Sequence, residues 1–176
     1  MTYYLTGIFP GRGSVLWRDL YTHAVVNATS GGNTTLDAPI SHINVHIRDN
    51  SALLLHKEPG YTIYETRAGP YALLVSLNTA GTAFGTAYVD DGVSFPPGPS
   101  RSLTFQAAES TLMIESEGEY VIEQKLETIT VLGVQKPTQV TLQGQTVQGW
   151  TYEEGTEELV LNASLDLNGQ VTLAWN

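Results

Sequence analysis

The sequence predicts an all-β protein of the antiparallel sandwich kind. Three observations carry that prediction: short apolar runs of period two, turn chemistry at close intervals between them, and no stretch with apolar residues at helical spacing and caps at both ends. In chain order the runs are Tyr3–Ile8, Ile43–Ile47, Tyr71–Leu77, Phe84–Val89, Ile129–Leu132, Val140–Leu142, Leu159–Leu161 and Val171–Trp175. All are rich in Val, Ile, Leu, Thr and aromatic residues, which suit a pleated, half-buried surface. In the last run the alternation of Val171 and Leu173 assigns Trp175 to the core. Between the runs stand Gly11-Arg12-Gly13, Ser30-Gly31-Gly32-Asn33, Asp91-Gly92, Pro96-Pro97-Gly98-Pro99 and Asn168-Gly169, all turn formers. Many short strands with such punctuation read as sandwich. A further turn at Glu58-Pro59-Gly60 separates two strand-rich blocks and predicts a domain boundary there.

The chain has 176 residues, 41% of them hydrophobic and 15% charged, enough to build a core and too apolar for a disordered segment. Its net charge of −10, with eight scattered basic residues, argues against nucleic acid, whose phosphates need clustered Lys and Arg. The same charge disfavours anionic lipid. No apolar run approaches the roughly 20 residues that span a bilayer, and no charged-then-apolar leader opens the chain. There is no cysteine, hence neither a disulfide framework nor a thiolate metal site. No cofactor is expected. Asn27-Ala28-Thr29, Asn33-Thr34-Thr35 and Asn162-Ala163-Ser164 are glycan acceptors on a secretory route, and the compartment itself is left open.

Several stretches occur in an order that resembles glycoside hydrolase family 31. Ile8-Phe9-Pro10-Gly11 and then Trp17-Arg18-Asp19-Leu20-Tyr21-Thr22 are similar to that family's strand, Pro turn and Trp-x-Asp-x-x-Thr segment. Thr34-Thr35-Leu36-Asp37-Ala38-Pro39, running into His42 to Arg48, resembles its Ala-Pro-Leu turn and the strand that ends in Arg-Gly-Gly. Glu65-Thr66-Arg67 precedes a strand like its Leu-Leu-Val-Ala-Leu, and Gly85 to Gly92 looks like its Gly-x-Leu-Tyr-x-Asp-Asp-Gly hairpin. Ile129–Gly133 with Pro137 and Val140, and the closing Val171–Trp175, complete the series.

The resemblance is to the C-terminal β-sandwich region of the family's α-glucosidases. It implies a proximal sandwich over residues 1–58, lacking its first strand, and a distal one over 59–176. It also implies a secreted ancestor. The family's nucleophile and acid motifs have no counterpart here, and a (β/α)₈ barrel of roughly 250 residues does not fit. No catalytic residue for glycosidase chemistry is therefore expected. The adjacent Asp90-Asp91 reads as a turn whose carboxylates accept backbone N–H groups, because a retaining pair must stand about 5–5.5 Å apart across one bond. Where the family has Arg-Gly-Gly this chain has Arg48-Asp49-Asn50, residues that tolerate left-handed backbone. Ala52 to Leu55 and then His56-Lys57 replace the family's Ile-Leu-Pro, a departure that bears on docking to a barrel.

Two constellations remain as candidates. On a strand His42 and His46 lie about 13 Å apart, too far to share zinc, so no metal site is expected. His46, Arg48, Asp49, His56 and Glu65 could converge if the Arg48–Asn50 turn and a Tyr61–Glu65 strand are neighbours, which would offer an acid–base pair and an anion clamp at the sandwich seam. Trp17, Tyr21, Tyr61, Tyr64 and Trp150 are candidate platforms for sugar rings, or plugs of the core. Three functions follow: a non-catalytic accessory module, a stand-alone carbohydrate-binding sandwich, or a repurposed isomerase or cyclase with a small-molecule pocket at the seam. The expected partner is a catalytic barrel or a second copy, met through residues 1–60.

Overall fold

A computed structural model describes residues 3–11, 14–28 and 32–176. Arg12, Gly13, Ser30 and Gly31 of the expected turns, and Thr29 of the first sequon, lie outside the described residues. The chain divides into two units, Met1–Asp49 and Asn50–Asn176.

In the first unit β1 (Tyr4–Gly7) runs antiparallel to β3 (Thr34–Asp37), with Tyr4 opposite Asp37 and Gly7 opposite Thr34. A separate pair joins β2 (Trp17–Asp19) to β4 (His46–Arg48), with Trp17 opposite Arg48 and Asp19 opposite His46. Backbone bonds from Leu20 N–H to Val45 O at 2.9 Å and from Val26 N–H to Trp17 O at 2.8 Å extend that pair. The expected strand Ile43–Ile47 is thus shorter and begins later. Ile47 is buried here, together with the polar Arg18 and Asp49.

The second unit opens on β5 (Ser51–His56), whose residues pair along β6 (Tyr71–Ser76) with Leu53 opposite Leu74 and His56 opposite Tyr71. This ladder places the division between units before β5, earlier than the turn at 58–60. Asn50 stands at the division with φ of 57°, the left-handed backbone its side chain tolerates. Between the two strands lies α1 (Ile63–Ala68), a correction to the strand expected over Tyr61–Glu65. Thr62 and Glu65 form a capping box: Glu65 N–H donates to Thr62 Oγ1 at 3.2 Å, and Thr62 N–H donates to Glu65 Oε2 at 3.2 Å. Those reciprocal bonds start a helix that alternation alone does not reveal.

The remaining strands are β7 (Ala83–Val89), β8 (Arg101–Ala108), β9 (Thr111–Gly118), β10 (Leu126–Leu132), β11 (Val140–Leu142), β12 (Gln145–Thr146), β13 (Trp150–Glu153), β14 (Glu158–Leu165) and β15 (Val171–Trp175). With β5 and β6 they form one ladder in the order β12-β11-β15-β9-β8-β7-β5-β6-β10-β14-β13. Most neighbours are antiparallel as expected. The pairs β5–β7 and β6–β10 are parallel, so the sheet is mixed.

The two outermost strands, β12 and β13, are consecutive in sequence and separated by Val147, Gln148 and Gly149 alone. Four Cα steps reach about 14 Å. The sheet must therefore curl until its edges meet, with Val147 N–H bonded to Val140 O at 3.0 Å and Asn162 N–H to Gly149 O at 3.3 Å. Inside the curl is one core, in which Phe105, Leu112 and Ile114 share a cluster with Leu73, Ile129 and Leu161. Strand alternation feeds it: Arg101, Leu103, Phe105 and Ala107 point inward from β8, and Val171, Leu173 and Trp175 from β15. β6 is buried along nearly its whole length.

Candidate functional site

Two polar arrangements stand out in the second unit, and the first accounts for the family-like Glu65-Thr66-Arg67 and Asp90-Asp91-Gly92 motifs. At the end of β7, Asp90 Oδ1 accepts Gly92 N–H at 2.8 Å, and Asp91 Oδ1 accepts the N–H groups of Val93 and Ser94, both at 3.0 Å. Asp91 Oδ2 also accepts the Ser94 hydroxyl. That hydroxyl first, then the two N–H groups, hold the Asp91 carboxyl down at about 2. Arg67 of α1 closes the turn, donating from Nη2 to Asp90 O at 2.8 Å and standing 3.7 Å from Asp90 Oδ1. Gly92 has φ of 67°, and a Cβ there would enter the Arg67 guanidinium. Glu-Thr-Arg and Asp-Asp-Gly are therefore two halves of one clasp, and both carboxylates are engaged in it.

The second arrangement has no signal in the sequence. Arg101 is buried and donates from Nε to Tyr120 O at 2.5 Å, from Nη2 to Gly118 O at 2.7 Å and from Nη1 to Ser116 Oγ at 2.9 Å. Ser116 passes the contact on to Leu167 O at 2.6 Å, while Asn168 brackets Ile122 with bonds of 2.8 Å to its N–H and its carbonyl. A buried cation held mainly by carbonyl oxygens ties β8 and β9 to the loop before β15. Only its inward position in an alternating strand could have marked it.

In the first unit a hollow of about 580 Å³ opens beside β3, lined by Asp19, Asn27, Asn33, Asp37, His42 and His46 among others. A smaller one of about 140 Å³ touches Leu5, Ile8, Phe9 and Leu36. Thr34, Leu36, Asn44 and His46 border both. The His46 ring meets Phe9 edge-on at 4.9 Å, and His42 meets Tyr21 at 5.3 Å. Asp19 accepts the N–H groups of Tyr21 and Thr22 at 2.9 and 2.7 Å. Burial pushes its pKa up, but these bonds, the Thr22 hydroxyl and the charge of His46 outweigh it, so the net shift is downward.

The residues singled out from sequence fall as follows. His46, Arg48 and Asp49 belong to the first unit, His56 and Glu65 to the second. Asp49 is buried and accepts Leu16 N–H at 2.9 Å, while Arg48 is exposed at the end of β4. His56 stacks on Tyr71 at 5.0 Å, and Glu65 is occupied by the helix cap, accepting Tyr61 N–H at 2.8 Å as well. Trp17 donates from its indole to Pro10 O at 2.9 Å and leans on Phe9, and Trp150 packs against the core from β13. Tyr61 and Tyr64 are exposed at the start of α1. Asn27, Asn33 and Asn162 are all exposed, Asn162 accepting the Thr128 hydroxyl at 3.3 Å. Among the described residues no group of three His, Asp or Glu is placed to hold a metal ion.

No family model matches the chain. An α-glucosidase of Schizosaccharomyces pombe is 38% identical to it over 176 residues, which is 98% of this chain and 18% of that protein. An α-glucosidase of Candida tsukubaensis is 39% identical over 166 residues, covering 94% of this chain and 15% of its own length. The chain thus spans under a fifth of the length of these relatives. The crystal structure of a glucosidase II α subunit aligns with a TM-score of 0.79 at 21% identity, over 98% of this chain and 21% of that one. At that identity the likeness shows the fold.

Proposed function

We propose that this chain, which belongs to glycoside hydrolase family 31, is a non-catalytic C-terminal β module of an α-glucosidase whose task is to brace a catalytic barrel. The observation that carries the reading is the extent of the match: nearly all of this chain against 18% of the relative. The polar groups add to it. Asp90, Asp91, Glu65 and Asp49 each accept backbone N–H groups, so their carboxylates serve the fold instead of waiting for a substrate.

Support for a bracing role comes from the second unit, where the curled sheet, the Arg67 clasp and the buried Arg101 make a stiff body. In this reading the first unit is the proximal element that meets the barrel and the second is the distal one. The test is activity of the chain by itself. Purified protein given maltose or an aryl α-glucoside is expected to show no turnover above a buffer blank. Turnover that survives repurification and follows the protein through a second column would overturn the reading.

A further inference from the structure

We infer that the hollow of about 580 Å³ in the first unit is a binding site for the pyranose ring of a neutral sugar, an accessory site for an α-glucan. The choice of a glucan among sugars rests on the module reading above. The choice of a sugar among ligands rests on the groups that line the hollow. Its volume falls within the roughly 300–1,000 Å³ of small-ligand sites.

The local structure brings unused polar groups together. β2 and β4 set Asp19 directly opposite His46, so both side chains stand on one face of that pair. β3 adds the half-buried Leu36 as an apolar wall, and His42 stands on the exposed rim. Asn44 Nδ2 donates to Asp37 O at 2.9 Å, which fixes the amide and leaves Oδ1 as an acceptor. Asp19 takes three hydrogen bonds on Oδ1, from the N–H groups of Tyr21 and Thr22 and from the Thr22 hydroxyl. Its Oδ2 remains free among the described residues. The rings of His42 and His46 touch Tyr21 and Phe9, and their nitrogens are likewise unengaged among the described residues. In the second unit the comparable groups are occupied: Glu65, Asp90 and Asp91 accept N–H groups of their own loops.

The composition of the walls selects the ligand. Among the described residues no Lys or Arg lines the hollow, whereas Asp19 and Asp37 do, so an anion is repelled. A cation meets His46 directly opposite Asp19, a competitor for the same carboxylate. A wholly apolar ligand would strip water from Asp19, Asn44 and two imidazoles and return no hydrogen bond. A hydroxyl-rich ring satisfies all of them. Its O–H groups donate to Asp19 Oδ2 and Asn44 Oδ1, and the imidazoles can give or take a bond. Its C–H face suits the apolar side, where Leu36 and His46 also border the smaller hollow that holds Phe9. The Phe9 ring meets His46 edge-on at 4.9 Å and so steadies the imidazole that the sugar would touch.

The experiment titrates the purified chain with maltotriose at constant pH and follows the ring protons of His42 and His46 and the side-chain amide of Asn44 by NMR. These signals are expected to move together and to saturate in the millimolar range, while glycerol leaves them in place. Asp19→Asn keeps an acceptor for the Tyr21 and Thr22 N–H groups and is expected to weaken binding about 10-fold. His42→Ala, at an exposed position that the fold can spare, is expected to weaken it about 3-fold, and Tyr64→Ala on the second unit to change nothing. Signals of the hollow that stay still up to about 50 mM maltotriose overturn the inference. So do shifts confined to the second unit, and so does an equal response to glycerol. An equal response to cellotriose overturns the assignment to an α-glucan. Glucose released from maltotriose by the chain counts instead against the module reading, with the shifts still establishing the site.

Discussion

Arg101→Met is expected to cost about 3 kcal/mol of stability, and the figure can be built from the contacts. The guanidinium makes three short bonds, to Tyr120 O at 2.5 Å, Gly118 O at 2.7 Å and Ser116 Oγ at 2.9 Å, and a long one to Asn168 O at 3.4 Å. A hydrogen bond with one charged partner contributes about 1.5 kcal/mol net at the low end, so the short ones give roughly 4.5. Against this stands the cost of keeping a cation largely out of water without a carboxylate beside it, about 1–2 kcal/mol where 8% of the residue still reaches solvent. Methionine fills most of the space, so little is added for a cavity. The assay is urea unfolding followed by tryptophan fluorescence. With a slope near 1.5–2 kcal/mol per molar for a chain of this size, the midpoint should fall by about 1.5–2 M. Arg101→Lys keeps the charge but cannot reach the same acceptors, and should fall between. A shift below about 0.3 M for the Met variant would refute the claim that this cation holds β8 to β9 and the loop before β15.

Two other predictions concern single atoms. A Cβ on Gly85 would run into the carbonyl oxygen of Ala52, so Gly85→Ala should push β5 away from β7 and cost about 2 kcal/mol, read calorimetrically as a fall of roughly 6 °C in Tm. The carboxyls of Asp91 and Asp166 should both titrate at about 2 by NMR, Asp91 chiefly through the Ser94 hydroxyl and Asp166 chiefly through Asn168 N–H. Because folding lowers both values, the stability they lend is complete above the ordinary carboxylate range near 4 and is lost as pH falls through about 2. Ser94→Ala should raise the Asp91 midpoint, and an unchanged midpoint would contradict the assigned cause.

Why some of this was legible in the sequence and some was not has physical reasons. Val171–Trp175 and Tyr71–Leu77 alternate or run apolar because one or both faces are covered, and such patterns survive translation into a string. β8 hides its alternation behind Arg101 at an inward position and Ala107 near its end. The helix at Ile63–Ala68 is too short to show a period, although Thr62 and Glu65 already spelled its cap. The roles of Gly85 and Gly92 leave no local mark, since each is set by an atom distant in sequence: Ala52 O for one, the Arg67 guanidinium for the other. Strand neighbours were equally out of reach, because parallel pairing of β5 with β7 and of β6 with β10 leaves no local mark. For the candidate site, residue types were readable but their occupation was not. Trp17 and Glu65 look available in a string and are engaged by backbone groups in the fold.

The meeting of the sheet's two edges also sets the order in which the second unit can assemble. The β8–β9 hairpin needs only the two-residue turn Glu109-Ser110, so it can form within microseconds of collapse. Closing the ring is different. β10 must find β6 in parallel across the intervening strands, and β15 must slot between β9 and β11. Pairings of such sequence separation put folding in the millisecond-to-second range. Until Val171–Trp175 docks, β9 and β11 each present a bare rim, and in that interval the nascent domain is most exposed to pairing with another chain. The strand that completes the ring is thus also what ends the period of risk.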